Sequence, residues 1–179
     1  YTRLTDAGLG CPDWPGCYGK LIPPTQALDV LNANKLYPNT PVDHAKTWPE
    51  MIHRYLASSL GLMIFVAAFL AFKTQSLARN VIYTLVPLVL LQGAFGAFTV
   101  SFKLHPLIVT THLLGGFLTL LLLAYATLNA LKHYLPRLSI EASKTLKISL
   151  LSLLIAIVIQ IILGGWLSSN YAARACVDL

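Results

Sequence analysis

Charge is what this chain has least of. Only 11% of its 179 residues are charged, seven acidic and thirteen basic, while 56% are apolar. That shortage leaves an ordinary soluble domain little room, since such domains carry roughly a quarter charged residues. Cysteine is nearly missing as well. Of Cys11, Cys17 and Cys176, only the first two lie near each other, and two thiols without a close third ligand make a poor zinc site. No apolar run opens the chain behind a basic flank, so none reads as a signal peptide. The net charge of +6 follows from loop topology and implies no nucleic-acid partner.

What is present is long, uncharged and apolar. The runs 55–72, 81–102, 106–131 and 148–173 contain no Asp, Glu, Lys or Arg, and each approaches or exceeds the roughly 20 residues that cross a bilayer core. They predict an all-α, polytopic transmembrane bundle with four helices in this chain. The short breaks at 73–80 and 132–147 carry Lys73, Arg79, Lys132, Arg137, Lys144 and Lys147 against the single acid Glu141. Short basic loops stay on the cytoplasmic side, so the 102–105 turn and the long 1–49 segment face outward. The chain divides accordingly into an outer loop (1–49), three spans (50–135), a cytoplasmic linker (136–147) and a further span with the start of its outer loop (148–179).

All three cysteines fall on the outward side, in keeping with an oxidising bacterial periplasm. For Cys11 and Cys17, six residues apart in Gly-Cys-Pro-Asp-Trp-Pro-Gly-Cys-Tyr-Gly, a disulfide ranks first, two free thiols second, and a metal pair competes less well. A bridge requires Cα atoms within about 7 Å. The outer loop holds seven of the ten prolines, yet Trp14, Tyr18, Tyr37 and Trp48 recur in it, as interfacial aromatics do. Between Pro24 and Pro38 the sequence predicts a short helix, with Ala27, Leu28 and Leu31 on one face, lying across the outer mouth of the bundle.

A weak internal repeat aligns positions 1–13 with 166–178, matching aromatic, Ala, Cys and Asp positions. An even number of crossings separates the copies, as duplication of an even-helix unit requires. On this basis a preceding helix before Tyr1 and a second half after Leu179 are expected.

The candidate chemistry lies in Glu50-Met-Ile-His53-Arg54, at the mouth of one apolar helix, and in His112 inside another. Ionisable groups in a membrane segment usually line a site, because facing them into lipid is costly. Pro49 is expected to start the first helix, with His53 about one turn in. His112 lies six residues past Pro106, roughly 9 Å deep. Two imidazoles from helices of like direction, near one level, could clasp a haem iron between them. His44, His105 and His133 read instead as interfacial or hydrogen-bonded residues. Glu50 and Arg54 have the spacing and order of a helix ion pair. Glu50 either serves the helix N-terminus through the macrodipole or moves protons beside a haem edge; the residues leave both open.

The strings Tyr-Thr-Arg-Leu-Thr-Asp-Ala-Gly-Leu-Gly-Cys-Pro-Asp-Trp-Pro-Gly-Cys-Tyr-Gly at the start, Glu-Met-Ile-His-Arg-Tyr at 50–55, His-Pro-Leu-Ile-Val-Thr-Thr-His at 105–112 and Leu-Gly-Gly-Trp-Leu-Ser-Ser-Asn-Tyr-Ala-Ala at 163–173 together resemble the haem A synthase family. The resemblance implies an eight-helix membrane enzyme of two pseudo-symmetric four-helix halves. Its implied reaction oxidises a methyl group of haem O to the formyl group of haem A for terminal oxidases. By the same resemblance His53 and His112 match the iron ligands of the N-terminal half, and Arg54, placed by helical spacing beside His53, is expected at the cofactor with them. Glu50 is the catalytic carboxylate, and Cys11 and Cys17 are the paired outer cysteines.

The substrate haem O belongs to this half, and haem b to a second half outside the chain. This stretch supplies helices 2 to 5 and is expected to be inactive alone. A haem O synthase and an electron donor are the implied partners besides the lipid bilayer. The implied location is a bacterial inner membrane, with the cysteine loop periplasmic. The rival readings are a diheme electron-transfer cytochrome and a non-catalytic assembly factor.

Overall fold

A computed structural model of the chain describes residues 7–73, 79–131 and 143–170. Positions 1–6 and 171–178 of the internal repeat, with Cys176 among them, and His133 lie outside the described residues. Five helices occur in order: α1 (Ala27–Leu36), α2 (His44–Lys73), α3 (Arg79–Ser101), α4 (Pro106–Leu131) and α5 (Lys144–Ser169). The described residues form no β-sheet; an isolated bridge joins Cys17 and Lys20. Helices α2 to α5 are all long and apolar enough to cross a membrane, which makes this a membrane protein of the all-α class.

The caps explain where the helices begin. Helix α2 starts at His44, not at Pro49, because the Asp43 carboxylate accepts the Ala45 N–H at 2.9 Å and satisfies a donor that the first turn leaves open. Pro49 is therefore inside the helix, and His53 is nine residues into it rather than one turn. The 49/50 boundary expected between loop and span cuts through a continuous helix. At α5 the Ser143 hydroxyl accepts the Leu146 N–H at 3.1 Å, so the helix takes in Lys144 to Lys147 from the expected linker. Its last described helical residue is Ser169.

The turn from α3 to α4 closes without glycine. Leu104 N–H reaches Thr99 C=O at 2.8 Å and Lys103 N–H reaches Val100 C=O at 3.1 Å, the double bond of a Schellman cap. Lys103 and Leu104 adopt φ 48° and 60°. That left-handed pair costs each residue about 1–2 kcal/mol, and it aims Leu104 at the cysteine loop, where its Cδ1 would lie 3.0 Å from a Cβ on Gly8.

The spans pack in chain order, α2 on α3, α3 on α4 and α4 on α5, as short connections between antiparallel helices require. Their other faces carry exposed leucine, isoleucine, valine and phenylalanine, the surface lipid would cover. Helix α5 touches α4 at its outer end, where Gly165 and Ser169 are buried and Gly165 lets Leu113 and Thr110 approach closely.

The best-buried apolar cluster joins the cysteine loop and α1 to the first turns of α2. Cys11, Cys17, Tyr18, Ala33 and Met51 form it, with Tyr37 and Val42 packed against them; the Tyr18 and Tyr37 rings meet edge to face at 5.4 Å. Helix α1 is where the sequence predicts it, but its inward face is not. Ala33 is buried, whereas Leu28 and Leu31 are exposed, and α1 packs on none of the four spans. It buttresses the cysteine loop and does not cross the mouth of the bundle. Its contact is made by the side that faces Tyr37 and the loop, a partner helical periodicity cannot identify.

Candidate functional site

The cysteine loop is shaped by its own hydrogen bonds. The Asp13 carboxylate accepts Tyr18 N–H at 2.7 Å and Gly19 N–H at 2.6 Å. Tyr18 and Gly19 both take positive φ, a reversal of the kind that joins paired segments in hairpins. Cys17 and Lys20 exchange backbone bonds across it at 2.7 and 3.2 Å. The sulfur atoms of Cys11 and Cys17 stand 1.98 Å apart with Cα atoms at 4.9 Å, inside the span a bridge requires. Burial pushes the Tyr18 hydroxyl above its ordinary value, with the Asp13 charge adding to the effect. The hydroxyl donates to Thr40 C=O at 3.0 Å.

This loop is clamped to the start of α2. A Cβ on Gly10 would sit 2.6 Å from the Lys46 carbonyl oxygen, so only glycine lets the loop approach so closely. One residue on, Cys11 N–H donates to Glu50 Oε2 at 3.0 Å. Arg54 Nη2 donates to Glu50 Oε1 at 2.5 Å, and both side chains are nearly buried. Arg54 Nη1 donates to Asp13 C=O at 2.9 Å, to Pro15 C=O at 3.2 Å and to Gly16 C=O. The i, i+4 pair expected from spacing is present, and it also anchors the loop, because one ion pair on one helix face holds residues 11 to 16.

Beneath the loop lies a cavity of about 410 Å³, within the roughly 300–1,000 Å³ of small-molecule sites. Gly8, Trp14 and Pro15 roof it; Glu50, His53, Arg54, Gly61 and Phe65 of α2 form one wall; Gln92, Gly93 and Gly96 of α3 another; Val109 and His112 of α4 a third. His53 and His112 thus face one space, although α2 and α4 do not pack on each other. The charged groups are at the outer end, and the deeper lining of Leu62, Phe65, Val89 and Leu90 is apolar. His112 Nδ1 is buried with no hydrogen-bond partner. His44 and His105 are exposed and line no part of the cavity.

Several lining residues were not foreseen from sequence. Trp14 and Pro15 reach the site through loop folding, Leu104 through its left-handed turn, and Gln92 as a lone amide in an apolar helix. The signal that could have found them is the amide itself and the Gly93/Gly96 pair on one face of α3. No group of three or more His, Cys, Asp or Glu side chains converges on a metal position among the described residues. Two histidines lining one cavity are a donor pair of the kind that can hold a haem iron.

Fold and cavity together define a membrane helix bundle whose spans wall a histidine-lined cavity under a clamped N-terminal loop. The COX15-CtaA family model, described as cytochrome oxidase assembly protein, matches residues 1–179. The chain belongs to that family. It is 46% identical over 181 residues to a heme A synthase of Shewanella oneidensis, covering all of this chain and 54% of that protein. It is 30% identical over 192 residues to a heme A synthase of Methylobacterium sp., covering 96% of this chain and 52% of that protein. The chain therefore spans about half the length of the curated relatives it matches over its whole extent. No solved structure matches it.

Proposed function

We propose that the protein containing this chain is a haem A synthase, a membrane-bound oxidoreductase that oxidises a methyl group of haem O to the formyl group of haem A. The observation that carries the reading is that His53 and His112, from two different spans, line one cavity. The curated relatives bear the same activity in their names. In this reading His53 and His112 would hold the haem iron, while an external oxidant would take the electrons that the methyl group loses and supply its oxygen.

The other residues orient and protect the substrate. Gly61, Gly93 and Gly96 keep two walls flat enough for a macrocycle to lie against them. Glu50, fixed by Cys11 N–H and Arg54, holds a carboxylate at the reacting edge, where it takes up a proton or offsets developing positive charge. Arg54 serves the site by holding the roof in place, since its observed partners are Glu50 and three backbone carbonyls. The roof of Trp14 and Pro15 keeps bulk water from the reacting centre.

The proposed location is a bacterial inner membrane with the loop on the periplasmic side, supported by the placement of lysine and arginine and by the 4.9 Å between the Cα atoms of Cys11 and Cys17. That distance supports a disulfide there. Haem b in the other half, an electron donor and a haem O synthase as supplier complete the reading.

The test is the pigment extracted from purified full-length protein. A synthase yields haem A or an oxygenated intermediate; a preparation holding only unmodified haem under turnover conditions overturns the assignment in favour of an electron-transfer cytochrome. A colourless preparation favours an assembly factor.

A further inference from the structure

Gln92 is an amide in a helix otherwise built of apolar and small residues at its level, and α3 and α4 bring it to an unusual position. A Cβ placed on Gly115 of α4 would lie 1.7 Å from Gln92 Nε2 and 2.8 Å from its Cδ. The amide therefore occupies the notch left by the missing side chain of Gly115. Gln92 is nine residues before the α3 end at Ser101 and Gly115 nine after the α4 start at Pro106, so both lie roughly 13 Å from the outer ends of their helices. His112, three residues before Gly115, stands about one turn nearer the outside.

Below the histidines the cavity wall is largely apolar, with Phe65, Val89 and Leu90, and Gln92 of α3 adds a side-chain amide to it beside the Ser58 hydroxyl of α2. An interhelical role would show as a hydrogen bond from the amide to α4, as such residues make between membrane helices. Among the described residues Gln92 makes no such bond. A polar amide held in apolar surroundings within a span marks a functional position by default, and this one is held at the cavity wall.

We infer that Gln92 reads the ligand: wedged in the Gly115 notch, its amide hydrogen-bonds a hydroxyl or carbonyl oxygen on the rim of the flat ligand lying between His53 and His112. The inference rests on the haem reading above and extends it from the iron to one edge of the macrocycle. The group recognised is an oxygen substituent pointing toward the middle of the membrane, away from the charged outer end. Gln92 would then separate a macrocycle bearing such an oxygen from one with a plain hydrocarbon group there.

The experiment titrates full-length protein with haem O, whose rim carries a hydroxyl, and with haem b, whose rim does not, following absorbance in wild type, Gln92→Leu and Gly115→Ala. Haem bound in the half outside this chain adds the same background to all three. Wild type should prefer haem O. Gln92→Leu should bind haem O about tenfold more weakly, the worth of one hydrogen bond, with haem b unchanged. Gly115→Ala should do the same with the amide chemically intact, because its Cβ expels Gln92 from the notch. Unchanged haem b binding also reports that each variant is folded. The inference is overturned if both variants bind haem O like wild type, or if the two haems weaken equally, which would make Gln92 a packing residue. Failure of wild type to bind either haem at this site overturns the haem reading itself, and this inference with it.

Discussion

Removing the Arg54 side chain should free the cysteine loop while leaving the bundle intact. Arg54→Ala deletes the ion pair to Glu50 at 2.5 Å and the bonds to the carbonyls of Asp13, Pro15 and Gly16. The Arg54 and Glu50 side chains are only 11% and 6% exposed, so the carboxylate left behind is a buried charge that has lost its partner. Breaking such a pair costs about 3–5 kcal/mol. Because the carbonyl bonds join α2 to the loop and not to α3, that cost falls on loop docking, and the open population should rise on the order of 10²–10⁴-fold. Hydrogen–deuterium exchange of full-length protein in lipid reads this directly: peptides spanning 8–20, including the Cys11 amide that Glu50 accepts, should exchange faster by that factor. Peptides from α3 and α4 should not change. Arg54→Lys should fall between the two, since an ammonium can still pair with Glu50 but cannot fork to three carbonyls. Wild-type exchange over 8–20 in Arg54→Ala would show that the loop is held by something other than this clamp.

The remaining expectations concern the site and the loop. His112→Ala should remove or weaken the haem absorbance of this site, and an unchanged low-spin spectrum would reject the ligand. Glu50→Gln should keep haem bound while product formation falls by roughly 10²–10⁴-fold; retained turnover would leave Glu50 a loop anchor only. Gly10→Ala should lower stability by about 1–3 kcal/mol through overpacking against the Lys46 carbonyl, seen as a lower melting temperature, and a neutral result would mean that the loop can shift freely. Tyr18→Phe should lower stability at neutral pH by about 1 kcal/mol through the lost bond to Thr40. The raised Tyr18 value means that above about pH 10 the unfolded chain loses this proton first, so wild-type stability should fall there as pH rises. Thermal melts should show a shallower alkaline decline in Tyr18→Phe, and parallel curves would assign the decline to another group.

The spans were legible in the sequence because a run without charge long enough for a bilayer has few other uses. Their ends were less so: Asp43 and Ser143 set the starts of α2 and α5 through single side-chain bonds, whereas Pro49 looked like a stronger signal and is interior. Helix α1 was legible as a helix and its contact face was not, because Leu28 and Leu31 formed the apolar stripe while burial went to Ala33 beside Tyr37. The Glu50–Arg54 pair could be read from spacing alone. Its hold on the carbonyls of residues 13 to 16 could not, because backbone oxygens carry no sequence signature and come within reach only once the loop has folded.

Composition and order of residues were enough to determine four membrane-length helices, their sequential antiparallel arrangement, and the residue types capable of haem chemistry. Which of those residues meet was decided in three dimensions. His53 and His112 share a cavity through α3, which packs against both of their helices. Gln92 reaches the cavity wall because Gly115, on another helix, leaves it space. Arg54 became a loop clamp because Gly10 allows the chain to approach α2. In each case the deciding contact joins residues distant in sequence, and apolar periodicity, which reports burial along one helix, contains no term for the partner on the next.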